Sequence, residues 1–105
     1  MNPVIKISDK FGTFCADGSE AVEFLKKAIL PRIESGEKLT LSLEDVRNVS
    51  SSFANAFFAN LSATYGNDLN TKVVIVNCRD HLKPIISSAF SLGLKRREEH
   101  LSHVG

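Results

Sequence analysis

The sequence is short of cysteine, of excess charge and of long apolar runs, and each shortage removes a class of function. Cys15 and Cys78 are the only cysteines. They stand without a CxxC or a Cys–His spacing, so neither a metal site nor a redox pair is set up, and two reduced thiols packed as small hydrophobes are expected. Lys and Arg total 13 against 12 Asp and Glu, a net charge of +1. No whole-molecule field therefore draws in nucleic acid or an anionic membrane. Lys95-Arg96-Arg97 is offset directly by Glu98-Glu99. No stretch offers the roughly 20 apolar residues that span a bilayer, and the Met-Asn-Pro-Val opening lacks the basic and apolar regions of a signal peptide. A cytoplasmic, bacterial-type protein is expected. Neither GxGxxG nor GxxxxGK[ST] occurs, which removes the glycine-rich phosphate cradles. Three dispersed histidines complete the list of scarcities: His81 near a helix start, and His100 with His103 in the tail. The last two share the i, i+3 spacing but lack a third ligand, so no metal or other cofactor is expected.

What remains is an ordinary composition. Of 105 residues, 43% are hydrophobic and 24% charged, which suits one globular core without repeats, low-complexity tracts or Pro-rich linkers. Val4 to Ile7 is β-branched and reads as a strand, and Lys10 to Cys15 alternates as a short hairpin partner. Asp17 lies three residues before Glu20, as in a capping box, ahead of a helix from about Ser19 to Glu34 closed by Gly36. Lys38 to Leu43 alternates with period two and reads as a strand. A turn through Glu44 to Asn48 leads to a second helix, from about Ser51 to Tyr65. Thr71 to Val76 has the pattern of a central strand buried on both faces. Asp80 caps a third helix, with Pro84 in its first turn, Ile85, Ile86, Ala89, Phe90 and Leu92 on its buried side, and Gly93 at its end. The alternation predicts an α/β fold with a mostly parallel sheet, a domain over residues 1–93 and a charged tail over residues 94–105.

The most informative stretch is Asn48 to Leu61, NVSSSFANAFFANL. Serine competes for backbone hydrogen bonds inside helices and favours their starts, so Ser50, Ser51 and Ser52 mark a boundary. That boundary lies where strand carboxyl ends hand over to helix amino ends, the edge at which α/β sheets meet ligands and partners. Unpaired N–H groups and the helix dipole favour an anion there, including a phosphoryl group carried by one of the first helical residues. The simpler role is an N-cap at Ser50, contributing on the order of 1 kcal/mol. From Asn48 through Asn67 no residue is charged. The outer positions Asn55, Ala59, Ser62 and Ala63 are small and neutral, which makes that flank easy to desolvate. Either another helix of the same fold covers it or a partner does.

The alternation together with LSLEDVRNVSSSFANAFFANL, Leu41 to Leu61, resembles STAS domains, the anti-sigma factor antagonist fold, and most of all their STAS-like relatives of unassigned function. An Asp-x-x-x-Val turn followed by a Ser-Ser-Phe-Ala helix start carries the likeness. It implies a STAS-like, mostly parallel four-stranded sheet with about three helices. In anti-sigma factor antagonists a serine at this helix start is phosphorylated by a partner kinase of the histidine-kinase-like ATPase fold. Aligning Val46 with the family's valine implies Ser51 as the phosphorylated position, with Ser50 where the family usually has aspartate. Ser42 stands in place of the strand-end aspartate and Phe53 in place of a glycine, and the final strand and helix are shortened or lost in the tail.

Two functions of different kinds follow. One is a non-catalytic regulatory module that binds a protein partner, a histidine-kinase-like ATPase by the resemblance, through Asn48, Ser50, Ser51, Ser52, Asn55, Ala59 and Ser62, with Ser51 and then Ser50 as phosphorylation candidates and self-pairing through the neutral helix left open. The other is a small enzyme or ligand-binding protein using Asp45, Ser51 and His81 at the same edge. Serine, histidine and an acid in one short chain imply no triad geometry by themselves.

Overall fold

The computed structural model describes the backbone of residues 3–104 and the side chains of residues 3–99. The side chains of His100 and His103 lie outside that range. Strand β1 (Val4–Lys6) leads into a short helix, α1 (Ile7–Phe11), which Gly12 ends with φ at +76°. Strand β2 (Phe14–Cys15) precedes α2 (residues 18–34), built from the consecutive helical segments Gly18–Phe24, Leu25–Ile29 and Leu30–Glu34. Strands β3 (Leu39–Ser42) and β4 (Asn48–Val49) follow, then α3 (residues 51–65), comprising Ser51–Ala54, Asn55–Ala59 and Asn60–Tyr65. A 3₁₀ turn, Gly66–Thr71, leads to β5 (Val73–Val76), and a shorter one, Asp80–Leu82, to α4 (Lys83–Val104).

The α/β alternation holds, but the sheet is not four-stranded. Three parallel strands form one sheet in the order β1-β3-β5, and β2 pairs in parallel with β4 in a separate two-stranded ladder. Phe14 and Cys15 therefore do not fold back on β1 as a hairpin. The turn of α1 carries them away, and their pairs are Asn48 and Val49. The strand of uninterrupted apolar residues, β5, is at an edge, and the alternating strand β3 is central. Leu39 and Leu41 of β3 are wholly buried on the helix-covered face. On the other face Val4, Thr40 and Val74 stand in register across the three strands, and Val4 and Val74 are exposed.

Asp17 caps α2 by accepting from the N–H groups of Ser19 and Glu20 at 2.8 and 3.2 Å, as its position before an apolar periodic run predicts. Within α2 the segment Leu25–Ile29 is a π turn, with the Leu30 N–H bonded to the Leu25 carbonyl five residues back. This wide turn ends just before Pro31, whose ring a regular helix cannot seat against the carbonyl four residues earlier. A second π turn, Asn55–Ala59, lies in α3, where the Asn60 side-chain amide takes up the Ala56 carbonyl. Between them sits an aromatic chain that runs from Phe24 and Phe11 through Phe53, Phe57 and Phe58 to Phe90, with centroid distances from 4.8 to 6.4 Å. Stacked and edge-to-face pairs of this kind add to area burial and tie four helices together.

Gly93 does not end the third long helix; α4 continues through it to Val104. A methyl group at Gly93 would overlap the Ala59 carbonyl and the Ser62 hydroxyl. The glycine is there to let two helix backbones approach, and the Ser62 hydroxyl seals the crossing by donating to the Phe90 carbonyl at 2.8 Å. The tail is also held to the body at Arg97, which donates to the carbonyls of Ala63 and Thr64 at 3.0 and 2.8 Å and so binds the C-terminal carbonyls of α3. The buried side of α4 is Ile86, Ala89 and Gly93, continued from Leu82 in the turn before it, whereas Ile85 is exposed.

Candidate partner-docking site at the start of the third helix

Two β–α units run side by side at this site. The parallel ladder of β2 and β4 delivers the chain to the N-caps of α2 and α3, Asp17 and Ser50. Ser50 has extended backbone angles and its hydroxyl accepts from the Phe53 N–H at 3.0 Å, which is the N-cap geometry. The same hydroxyl donates to the Ala16 carbonyl at 2.8 Å, while the Ser50 N–H bonds the Cys15 carbonyl at 2.9 Å. Ser50 is thus consumed by the joint between the two units. Ser52 is packed differently: a Cβ at Gly18 would come within 2.7 Å of its hydroxyl oxygen, so the start of α2 rests on Ser52.

Ser51 and Ser52 are both exposed, and Ser51 holds the first position of α3. It lines a shallow depression with Ala54, Asn55, Pro84, Ile85 and Ser88, between the starts of α3 and α4. None of these residues is charged. Ile85 is 37% exposed there, and Phe14, 58% exposed, stands beside Asn48 in the ladder. Sequence periodicity missed Pro84, Ile85 and Ser88 because the depression joins the starts of two helices that are far apart in the sequence. The serine-rich helix start gave half of it.

The flank further along α3 is not part of this surface. Ala59 is fully buried and Ser62 is 2% exposed, both covered by α4 at the Gly93 crossing. The neutrality of these two positions belongs to intramolecular packing, and they leave the candidate surface. Asn48, Ser51, Ser52 and Asn55 remain accessible or partly so.

Asp45, Ser51 and His81 have separate partners. The Asp45 carboxylate pairs with Lys6 at 2.9 Å, which holds its carboxyl below the usual aspartate range and raises the Lys6 ammonium. The His81 Nε2 is hydrogen-bonded to the Arg47 carbonyl at 2.6 Å. Asp45 borders a depression with Lys6, Arg47 and Arg79 that does not include Ser51. At the end of β3, the buried Ser42 hydroxyl accepts from the Asn77 side-chain amide at 3.0 Å and the Glu44 N–H at 3.3 Å. It thereby ties the loop after β3 to the loop after β5. Among the described residues no three His, Cys, Asp or Glu side chains cluster as metal ligands, and no helix is long and apolar enough to cross a membrane.

The geometry agrees with one sequence family. Residues 20–83 match the family described as a STAS-like domain of unknown function (DUF4325), a span that takes in α2 from Glu20 onward, β3, the serine-capped α3 and β5. No curated protein and no solved structure matches the chain. The match covers well over half of the sequence, and the chain belongs to this STAS-like family.

Proposed function

We propose that the protein is a non-catalytic regulatory module that binds a protein partner at the start of α3. The observation that carries the reading is the placement of Ser51: exposed at the first position of a capped helix, in an uncharged depression that also holds the exposed side chain of Ile85. Such a surface loses little on desolvation, and its apolar members supply the contact area that protein interfaces favour. The resemblance to anti-sigma factor antagonists supports an ATPase of the histidine-kinase-like fold as the partner. Phosphorylation is a narrower part of the proposal. It falls on Ser51, because Ser50 uses its hydroxyl as both donor and acceptor inside the fold. A phosphoryl group on Ser51 would sit at the positive end of α3 and place about two negative charges in the uncharged docking surface.

The test is complex formation with a cognate ATPase domain, followed by titration calorimetry. Ser51→Glu and Asn55→Arg are expected to weaken the complex at least tenfold. Unchanged affinity for both variants overturns the docking site. Intact mass after incubation with the ATPase and ATP decides the phosphorylation, which Ser51→Ala is expected to abolish.

A further inference from the structure

The edge strand β5 is bordered by a cleft, and the two features together describe a peptide site. In the ladder with β3, the Leu39 N–H bonds the Lys72 carbonyl at 2.9 Å and the Leu43 N–H bonds the Val76 carbonyl at 3.0 Å. Because consecutive residues of a strand aim their polar groups to opposite sides, the N–H and C=O groups of Val73 and Ile75 point away from β3, towards the open edge. The side chains of the same two residues project onto the helix-covered face. There they line a cleft of about 300 Å³ with Ser62, Leu69, Phe90 and Leu94. Outward hydrogen-bonding groups and an adjoining apolar pocket are what a strand-adding peptide needs: the backbone supplies affinity, and the pocket selects alternate side chains.

The two sheet edges differ. The edge at β1 has Pro3 before it and Lys6 within it, both common devices against strand addition. The edge at β5, Val73-Val74-Ile75-Val76, has no charge and no proline. Four residues span only about 13 Å, so contact along this strand falls well below the roughly 800 Å² per partner of a stable dimer. That size fits a linear segment better than a second copy. Leu69, Val73, Ile75, Phe90 and Leu94 outnumber the polar Ser62, Asn67 and Asn70 in the lining, and none is charged, so the entering group is apolar.

We infer that β5 is a β-augmentation site for an extended peptide segment of another protein, which pairs with Val73 and Ile75 and sets an apolar side chain into the cleft between β5, the Gly66–Thr71 turn and α4. The site is remote in sequence from the Ser51 surface and does not depend on it.

The probe is the capped peptide acetyl-Lys-Thr-Leu-Val-Leu-Thr-Lys-amide, titrated to millimolar concentration into the ¹⁵N-labelled protein. Two analogues are N-methylated, one on both leucines and the other on the intervening valine. Saturable shifts at the Val73 and Ile75 amides, slower hydrogen exchange there, and at least a tenfold loss of affinity for one of the two analogues are expected. Leu94→Asp, in the partly exposed wall of the cleft, is expected to weaken binding by a similar factor. Ile75→Pro deletes an outward donor while leaving the bonds to β3 in place, and it is expected to weaken binding too if its thermal transition shows it folded. If that variant fails to fold, the N-methylated analogues still decide the matter. The proposal is overturned if no shift occurs at Val73 and Ile75, if both analogues bind as well as the parent peptide, or if these amides broaden with protein concentration alone, which would assign the edge to a second copy.

Discussion

The Ser50 hydroxyl donates to the carbonyl of Ala16 across 34 residues of sequence, at 2.8 Å, while accepting the Phe53 N–H of its own helix. One small side chain therefore starts α3 and fastens it to the segment that starts α2. Removing it should do more than remove a cap. Ser50→Ala is expected to destabilise the fold by about 1–2 kcal/mol, read from the midpoint of urea unfolding. Ser51→Ala, which deletes an exposed hydroxyl, is expected to stay within about 0.5 kcal/mol.

The Gly93 crossing makes the opposite kind of demand, for the absence of a side chain. Since a Cβ there meets the Ala59 carbonyl and the Ser62 hydroxyl, Gly93→Ala should force α3 and α4 apart despite alanine's better helix propensity. The expected loss is about 3 kcal/mol, at the upper end for overpacking a core, with a matching fall in thermal midpoint. Stabilisation, as propensity alone would give, is the outcome that contradicts the crossing.

Ser42 is buried and receives two donors, the Asn77 amide and the Glu44 N–H. Ser42→Ala would leave the Asn77 amide without this acceptor, in a residue whose φ of +58° already marks a constrained turn. A loss of about 1–2 kcal/mol is expected. Faster amide exchange in the loops after β3 and β5, measured by NMR, checks its location.

Burial raises the Cys15 thiol from its ordinary value of 9.0 to about 11. Between these values the folded state holds a proton that the unfolded chain has lost, so stability declines as pH rises. The contribution is intact below about pH 8 and falls through pH 9 to 11, by on the order of 2–3 kcal/mol in total. Comparing unfolding midpoints of the wild type and Cys15→Ala across this range isolates the effect, because the variant is expected to lose that part of the slope. The half-buried Cys78 is also expected to react with a thiol reagent well before the buried Cys15.

Local chemistry was legible wherever one segment decides it. Asp17 and Ser50 are caps because Asp and Ser before an apolar period have few better uses, and the ends of α2 and α3 fall close to where glycine and periodicity put them. Strand order was not legible. Val73 to Val76 carries the composition of a buried central strand, but β-branching reports a fit to pleated backbone, and the strand's neighbours are set by topology. The sequence puts a helix stop at Gly93, and only the position of α3 shows it to be a close approach instead. The same holds for Ala59 and Ser62, whose small neutral side chains suit a partner and an intramolecular crossing equally well. At the candidate site the serine triplet was legible, whereas Pro84, Ile85 and Ser88 reach it only through the placement of α4.

The wide turn at Asn55–Ala59 has a consequence for the chain's tolerance of length changes. It accommodates one residue more than a regular helix would, so everything downstream is out of phase with the first turn of α3 by about 100°. Deleting one residue there would remove the extra residue and its offset together and leave Ser62 facing Gly93, whereas winding the same residues as a regular helix would rotate Ser62 off it. An apparent irregularity in α3 is thus what aims its far half at α4.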